Sequence, residues 1–93
     1  LYIDTGNDSL TGSLSLTADE VTLAGTTRVE DTIDITAGSK GIVVKENAYI
    51  ASQSGKNITL TATSADILMR SGSMVKTTGD ITMTAGGDIA LGI

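Results

Sequence analysis

Residues able to carry reactive chemistry are few in this chain. There is no His and no Cys, which removes the commonest general base and metal ligand along with every thiolate site and disulfide. The carboxylates offer more. Glu30, Asp31 and Asp34 fall together at a short turn, and Asp4, Asn7 and Asp8 at another; hard oxygen donors grouped in this way suit Ca2+. The Gly-Gly-x-Gly-x-Asp nonapeptide of calcium-binding β-rolls is missing, however, and a single Gly86-Gly87-Asp88 does not replace it. These carboxylates therefore read as solvated turn residues, and neither a metal nor a cofactor is expected.

The basic residues are Arg28, Lys40, Lys45, Lys56, Arg70 and Lys76, against 11 Asp and Glu, for a formal net charge of -5. Scattered along an acidic chain, they argue against a nucleic-acid or anionic-membrane footprint. No run approaches the roughly 18 apolar residues of a membrane span. The start Leu1-Tyr2-Ile3-Asp4 has neither Met nor the basic and apolar regions of a signal peptide. The chain is read as a fragment or processed piece of something longer.

The elements that must position these residues announce themselves as a repeat. One five-residue phrase occurs four times: Leu14-Ser15-Leu16-Thr17-Ala18, Ile33-Asp34-Ile35-Thr36-Ala37, Ile58-Thr59-Leu60-Thr61-Ala62 and Ile81-Thr82-Met83-Thr84-Ala85. Copies are spaced by 19 (14 to 33), 25 (33 to 58) and 23 (58 to 81) residues. Such length variation around an invariant phrase belongs in turns. A second apolar pair follows each phrase: Val21 and Leu23, Ile42 and Val44, Ile67 and Met69, Ile89 and Leu91, with Leu1 and Ile3 extending the column backwards. A third column is read as Leu10, Val29, Ile50 and Val75.

Three short strands per repeat, separated by turn clusters such as Gly38-Ser39-Lys40-Gly41 and Ser71-Gly72-Ser73, are what a solenoid coil requires. The absence of Pro, Trp and Phe and the abundance of Thr, Ser, Ala and Ile favour strand and tight turn over helix. We therefore expect an all-β fold: a single-chain parallel β-helix, or β-solenoid, right-handed, of about four coils with three short strands each. It occupies residues 1–93 as one segment. Inward Leu, Ile, Val and Met columns fill a narrow core, and outward residues form ladders. A sandwich of antiparallel strands would need hairpins and would not repeat a three-part phrase in fixed order.

Gly55-Lys56-Asn57-Ile58-Thr59-Leu60-Thr61-Ala62 and Gly79-Asp80-Ile81-Thr82-Met83-Thr84-Ala85-Gly86-Gly87-Asp88-Ile89-Ala90-Leu91-Gly92 resemble the repeats of filamentous-haemagglutinin-type adhesins, large exported β-helical proteins of two-partner secretion systems. The resemblance covers most of the chain from Leu10 onward. It implies a shaft-like structural role at the bacterial surface or outside the cell, with no functional residue to carry over. The same phrases resemble, more weakly, the needles of phage tail spikes and type VI secretion spikes. There three chains intertwine on a regular eight-residue rhythm, which is broken here by gaps of four (10 to 14), seven (14 to 21) and six (75 to 81).

Placed on the repeat, the remaining candidates become surface features. Thr17, Thr36, Thr61 and Thr84 form an outward ladder beside Ser15, Asp34, Thr59 and Thr82. Flat Thr-x-Thr arrays order water in ice-binding solenoids, but Ser15 and Asp34 interrupt this one, and Thr suits exposed strands in any case. Polysaccharide-active enzymes also use parallel β-helices, and Lys45 and Arg70 occupy equivalent positions, with Glu46 as a neighbour. No carboxylate pair joins them, so no catalytic residue is assigned and an enzyme is not expected; a host or matrix glycan is left open. Neither end carries a helix, a Pro or a charged cap of the kind that closes a solenoid edge. Leu1, Tyr2 and Ile3 at one end, and Ile89, Leu91 and Ile93 at the other, are expected to be self-association edges, covered by flanking coils of a parent chain or by another copy stacked end to end. No insertion into a membrane is expected.

Overall fold

The computed structural model describes residues 2–53 and 55–91, with the side chains of residues 4–8 left out of the description. Nine strands follow in order: β1 (Tyr2–Leu10), β2 (Leu14–Val29), β3 (Ile33–Val44), β4 (Tyr49–Ser52), β5 (Ile58–Ala62), β6 (Ile67–Met69), β7 (Met74–Lys76), β8 (Ile81–Ala85) and β9 (Ile89–Leu91). Every pairing is parallel. The chain is an all-β solenoid of about four stacked coils, and no helix occurs among the described residues.

The repeated phrase makes the first wall. Leu14, Ile33, Ile58 and Ile81 lie in register, as do Leu16, Ile35, Leu60 and Met83. The second wall stacks Val21, Ile42, Ile67 and Ile89, then Leu23, Val44, Met69 and Leu91. Ile3 continues that wall onto Leu23. The equivalence expected for Leu1 lies outside the described residues, as does Ile93. In the long strand β2 the chain runs through all three walls without a break in pairing, while later coils split the same path into separate strands.

The third wall differs from the sequence reading. Leu10 pairs with Val29 as expected, but Val29 pairs with Ser52, and Ile50 stacks between Thr27 and Val75. The column is displaced by two residues because the corner between the second and third walls lengthens. Three positions separate Leu23 from Thr26, whereas five separate their partners Val44 and Tyr49. Asn47 turns that longer corner at φ 61°, a left-handed conformation that Asn tolerates better than most residues. Thr27 is thus a buried hydroxyl residue in register with Ile50, which in turn stacks on Val75.

Burial peaks in the middle of the stack. Ile35, Ile42, Val44, Ile58, Leu60 and Ile67 are fully buried. Ala37 and Ala62 face inward where the first wall ends, and no larger side chain occupies those positions. The same columns open at the last coil, where Ile81 is 42% and Ile89 45% exposed. Rungs lie about 4.8 Å apart, so each coil covers the apolar face of its neighbour and the final one covers itself only from below.

Corners are held by Asn or Asp side chains set against Gly on the next rung. Asn57 Oδ1 accepts the Asp80 backbone N–H at 3.0 Å, and Asp66 Oδ1 accepts that of Asp88 at 2.7 Å. A side chain on Gly79 would meet Asn57 Oδ1, and one on Gly87 would meet Asp66 Oδ1. Asp19 faces Gly38 and Asn47 faces Gly72 in the same way. Missing Cβ atoms thus make room for the polar side chains that tie successive corners together.

Candidate functional surfaces

On the first wall Thr17, Thr36, Thr61 and Thr84 stack rung on rung, flanked by the column Ser15, Asp34, Thr59 and Thr82. The register expected from the sequence is therefore the one adopted. Thr36 and Thr61 are half-buried and Thr17 and Thr84 exposed. Asp34 is exposed among these hydroxyls and places one charge in the middle of the array.

Among the described residues the turn carboxylates do not converge. Asp31 Oδ1 accepts the Thr32 backbone N–H at 2.8 Å and lies 3.9 Å from Lys56 Nζ on the next rung. Both partners are about half-exposed, so this pair contributes little to stability. Asp34 sits on the first wall, away from that corner. Asp4, Asn7 and Asp8 have side chains outside the described residues. Among the described residues no three His, Cys, Asp or Glu side chains come together as a metal site.

Lys45 and Arg70 are one rung apart, as the repeat requires: Lys45 N–H donates to Leu23 O and Arg70 N–H to Val44 O, each at 2.9 Å. Both side chains are exposed, with Glu46 beside them at the corner. Two shallow grooves accompany this part of the surface. One, of about 350 Å³, is lined by Ser9, Arg28, Glu30, Tyr49, Ser52 and Gln53. The other, of about 320 Å³, lies between Glu46, Leu68, Arg70 and Leu91. Within the first, the Arg28 guanidinium sits 5.8 Å from the Tyr49 ring centre, within range of a cation–π contact.

That contact was invisible in the sequence because it crosses between rungs. Arg28 pairs with Ala51, and Tyr49 with Thr26, so the two meet diagonally, and only a correct third-wall register brings them together. Small Ala51 between Arg28 and Lys76 opens the groove.

Four of the six cations, scattered in the sequence, come together in space. Arg28 and Lys76 lie on the third wall, and Lys45 and Arg70 at the corner leading into it. Asp19, Glu20, Asp66 and Asp88 gather instead at the corner between the first and second walls, with Lys40. Of the expected edge residues that are described, Tyr2 is 59%, Ile89 45% and Leu91 67% exposed, whereas Ile3 is half-buried.

Parallel pairing, fixed three-wall order and stacked corners define the chain as a β-solenoid. Compared with protein-family models, with curated proteins and with solved structures, the chain matches none. Among the described residues no helix is long and apolar enough to cross a membrane.

Proposed function

We propose that this chain is a structural segment of an extracellular bacterial filament or adhesin, a non-enzymatic shaft of the kind its filamentous-haemagglutinin-like phrases imply. The observation that carries the reading is the contrast within one column. Ile58 is fully buried between coils, while Ile81, its neighbour in the same column, is 42% exposed on the last described coil. Each coil thus presents an apolar face and a set of strand edges that fit another coil of the same kind. Coverage by coils of a longer chain, or by a second copy stacked along the axis, extends the rod without changing its cross-section. Head-to-tail contact of that type does not close on itself.

A trimeric spike needle is the runner-up. Its axial neighbours come from different chains, whereas here each rung pairs with the next rung of the same chain, 19 to 25 residues on. This supports the single-chain reading. An ice-binding or polysaccharide-binding role for the threonine wall gains little, because Asp34 and Ser15 interrupt it.

Electron microscopy of the purified chain, combined with light scattering, tests the proposal. Axial oligomers or fibres with a repeat near 4.8 Å along their length are expected, and Ile89→Asp with Leu91→Asp should abolish them. A monomer at high concentration whose terminal-coil amides resist hydrogen exchange would overturn it. An SDS-resistant trimer would favour the needle.

A further inference from the structure

We propose that these solenoids associate side by side, with the acidic corner of one copy seated against the basic wall of the next. A closed coil of three walls puts the corner between its first and second walls across the core from its third wall. Across that core the charge is divided. The acidic corner holds Asp19, Glu20, Asp66 and Asp88 against one cation, Lys40. The third wall and the corner entering it hold Arg28, Lys45, Arg70 and Lys76 against Glu46 among the described side chains, with Asp4 and Asp8 on the first rung of the same wall by backbone register. At the third wall's other corner Glu30 lines the same groove as Arg28, and Lys56 stands 3.9 Å from Asp31. All ten described residues of the two opposed groups are exposed.

The two groups also share an axial rhythm. Glu20 pairs with Gly41 on the next rung, and Asp66 and Asp88 are tied across successive rungs. Opposite them, Arg28 and Lys76 are two rungs apart on the third wall, and Lys45 and Arg70 one rung apart. Within each set the charges are thus one or two rungs of about 4.8 Å apart, which lets parallel rods match several pairs at once. One copy offers a donor surface on one side and an acceptor surface on the other, so the contact is heterologous and open-ended. The occupant favoured is a second copy because both complementary surfaces belong to the same chain. The proposal goes beyond the shaft reading and does not depend on it: axial stacking rests on apolar faces and backbone edges, lateral pairing on charge.

Solution scattering and sedimentation of the full chain at about 0.01 M and about 1 M salt, where the screening length falls from about 30 Å to about 3 Å, test this. At low salt the rod cross-section should widen and the average mass at least double; at high salt both should return to the single rod. Two charge-reversed chains sharpen the result. Lys45→Glu/Arg70→Glu/Lys76→Glu makes the wall acidic, and Asp19→Lys/Asp88→Lys makes the opposite corner basic while leaving Asp66 in place. Each alone should remain a single rod at low salt, and an equimolar mixture should associate, because each supplies the other's missing partner surface. Unchanged thermal unfolding by circular dichroism shows that both still fold. A parent whose cross-section does not respond to salt, or a mixture that stays dispersed, overturns the proposal. A parent that stays dispersed yet binds an anionic resin through Lys45, Arg70 and Lys76 overturns it in favour of a polyanionic partner. Growth in length without growth in width leaves the shaft reading standing and this one refuted.

Discussion

Asp66 Oδ1 accepts the Asp88 backbone N–H at 2.7 Å and fills the space in which a side chain on Gly87 would begin. The glycine and the hydrogen bond are therefore one device. Gly87→Ala should push Asp66 aside and lose about 1 kcal/mol, the usual net worth of such a bond. In an Asp66→Ala background the same change should cost much less. A double-mutant cycle by chemical denaturation reads the coupling; additive effects would show that the two residues act independently.

Gly41 has no such escape. Its φ is +81°, and an added Cβ would meet the Asp66 backbone carbonyl and the Ala65 side chain. Gly41→Ala is expected to destabilise by about 2 kcal/mol or more, combining left-handed strain with a backbone clash. Gly12, at φ +84° with nothing nearby, should accept Asn with little change. Equal melting shifts for the two variants would contradict the assignment.

Ile58 and Ile81 test the coverage of the core. Ile58→Asp buries a carboxylate between two coils and should cost several kcal/mol, enough to unfold much of a small domain's margin. Ile81→Asp, in the same column at the open coil, can keep its charge in water and should cost far less. Thr61→Ser, on the outer face, should be near neutral. Thermal unfolding of the three variants separates inward from outward positions.

Hydrogen exchange should divide the same columns. Ile58 N–H donates to Asp80 O and Ile67 N–H to Asp88 O, each 2.9 Å away on the next rung. By the same alternation the Ile81 and Ile89 amides point toward a rung beyond the last coil. Ile58 and Ile67 should exchange slowly, and Ile81 and Ile89 fast in dispersed chains. Axial stacking should protect Ile81 and Ile89; lateral pairing alone should not.

Two walls of this fold were legible in the sequence and the third only in part: Leu10 with Val29 and Ile50 with Val75 pair as expected, but Val29 does not pair with Ile50. Leu60 and Val21 sit in phrases whose alternation is unbroken, so apolar spacing alone placed them correctly. In the third wall Thr27 and Ser52 take inward-column positions beside Ile50 and Val29, so hydropathy gave no signal there. A two-residue change in corner length then went unnoticed, and with it the approach of Arg28 to Tyr49. Charge was illegible for a different reason. Asp19 and Asp88 are distant in sequence, and their common corner exists only once the coils are wound.

The variable corners and invariant rungs also set how this molecule would yield to force. Backbone bonds between coils run along the axis, so tension spread over a whole cross-section loads every bond of a rung interface together. Tension applied through the chain ends instead concentrates on the last strand, which peels before its neighbour is loaded. Successive phrases are 19, 25 and 23 residues apart, so peeling releases slack in unequal steps of roughly 65 to 90 Å. The same solenoid is stiff when gripped by its neighbours and gives way coil by coil when pulled by a free end.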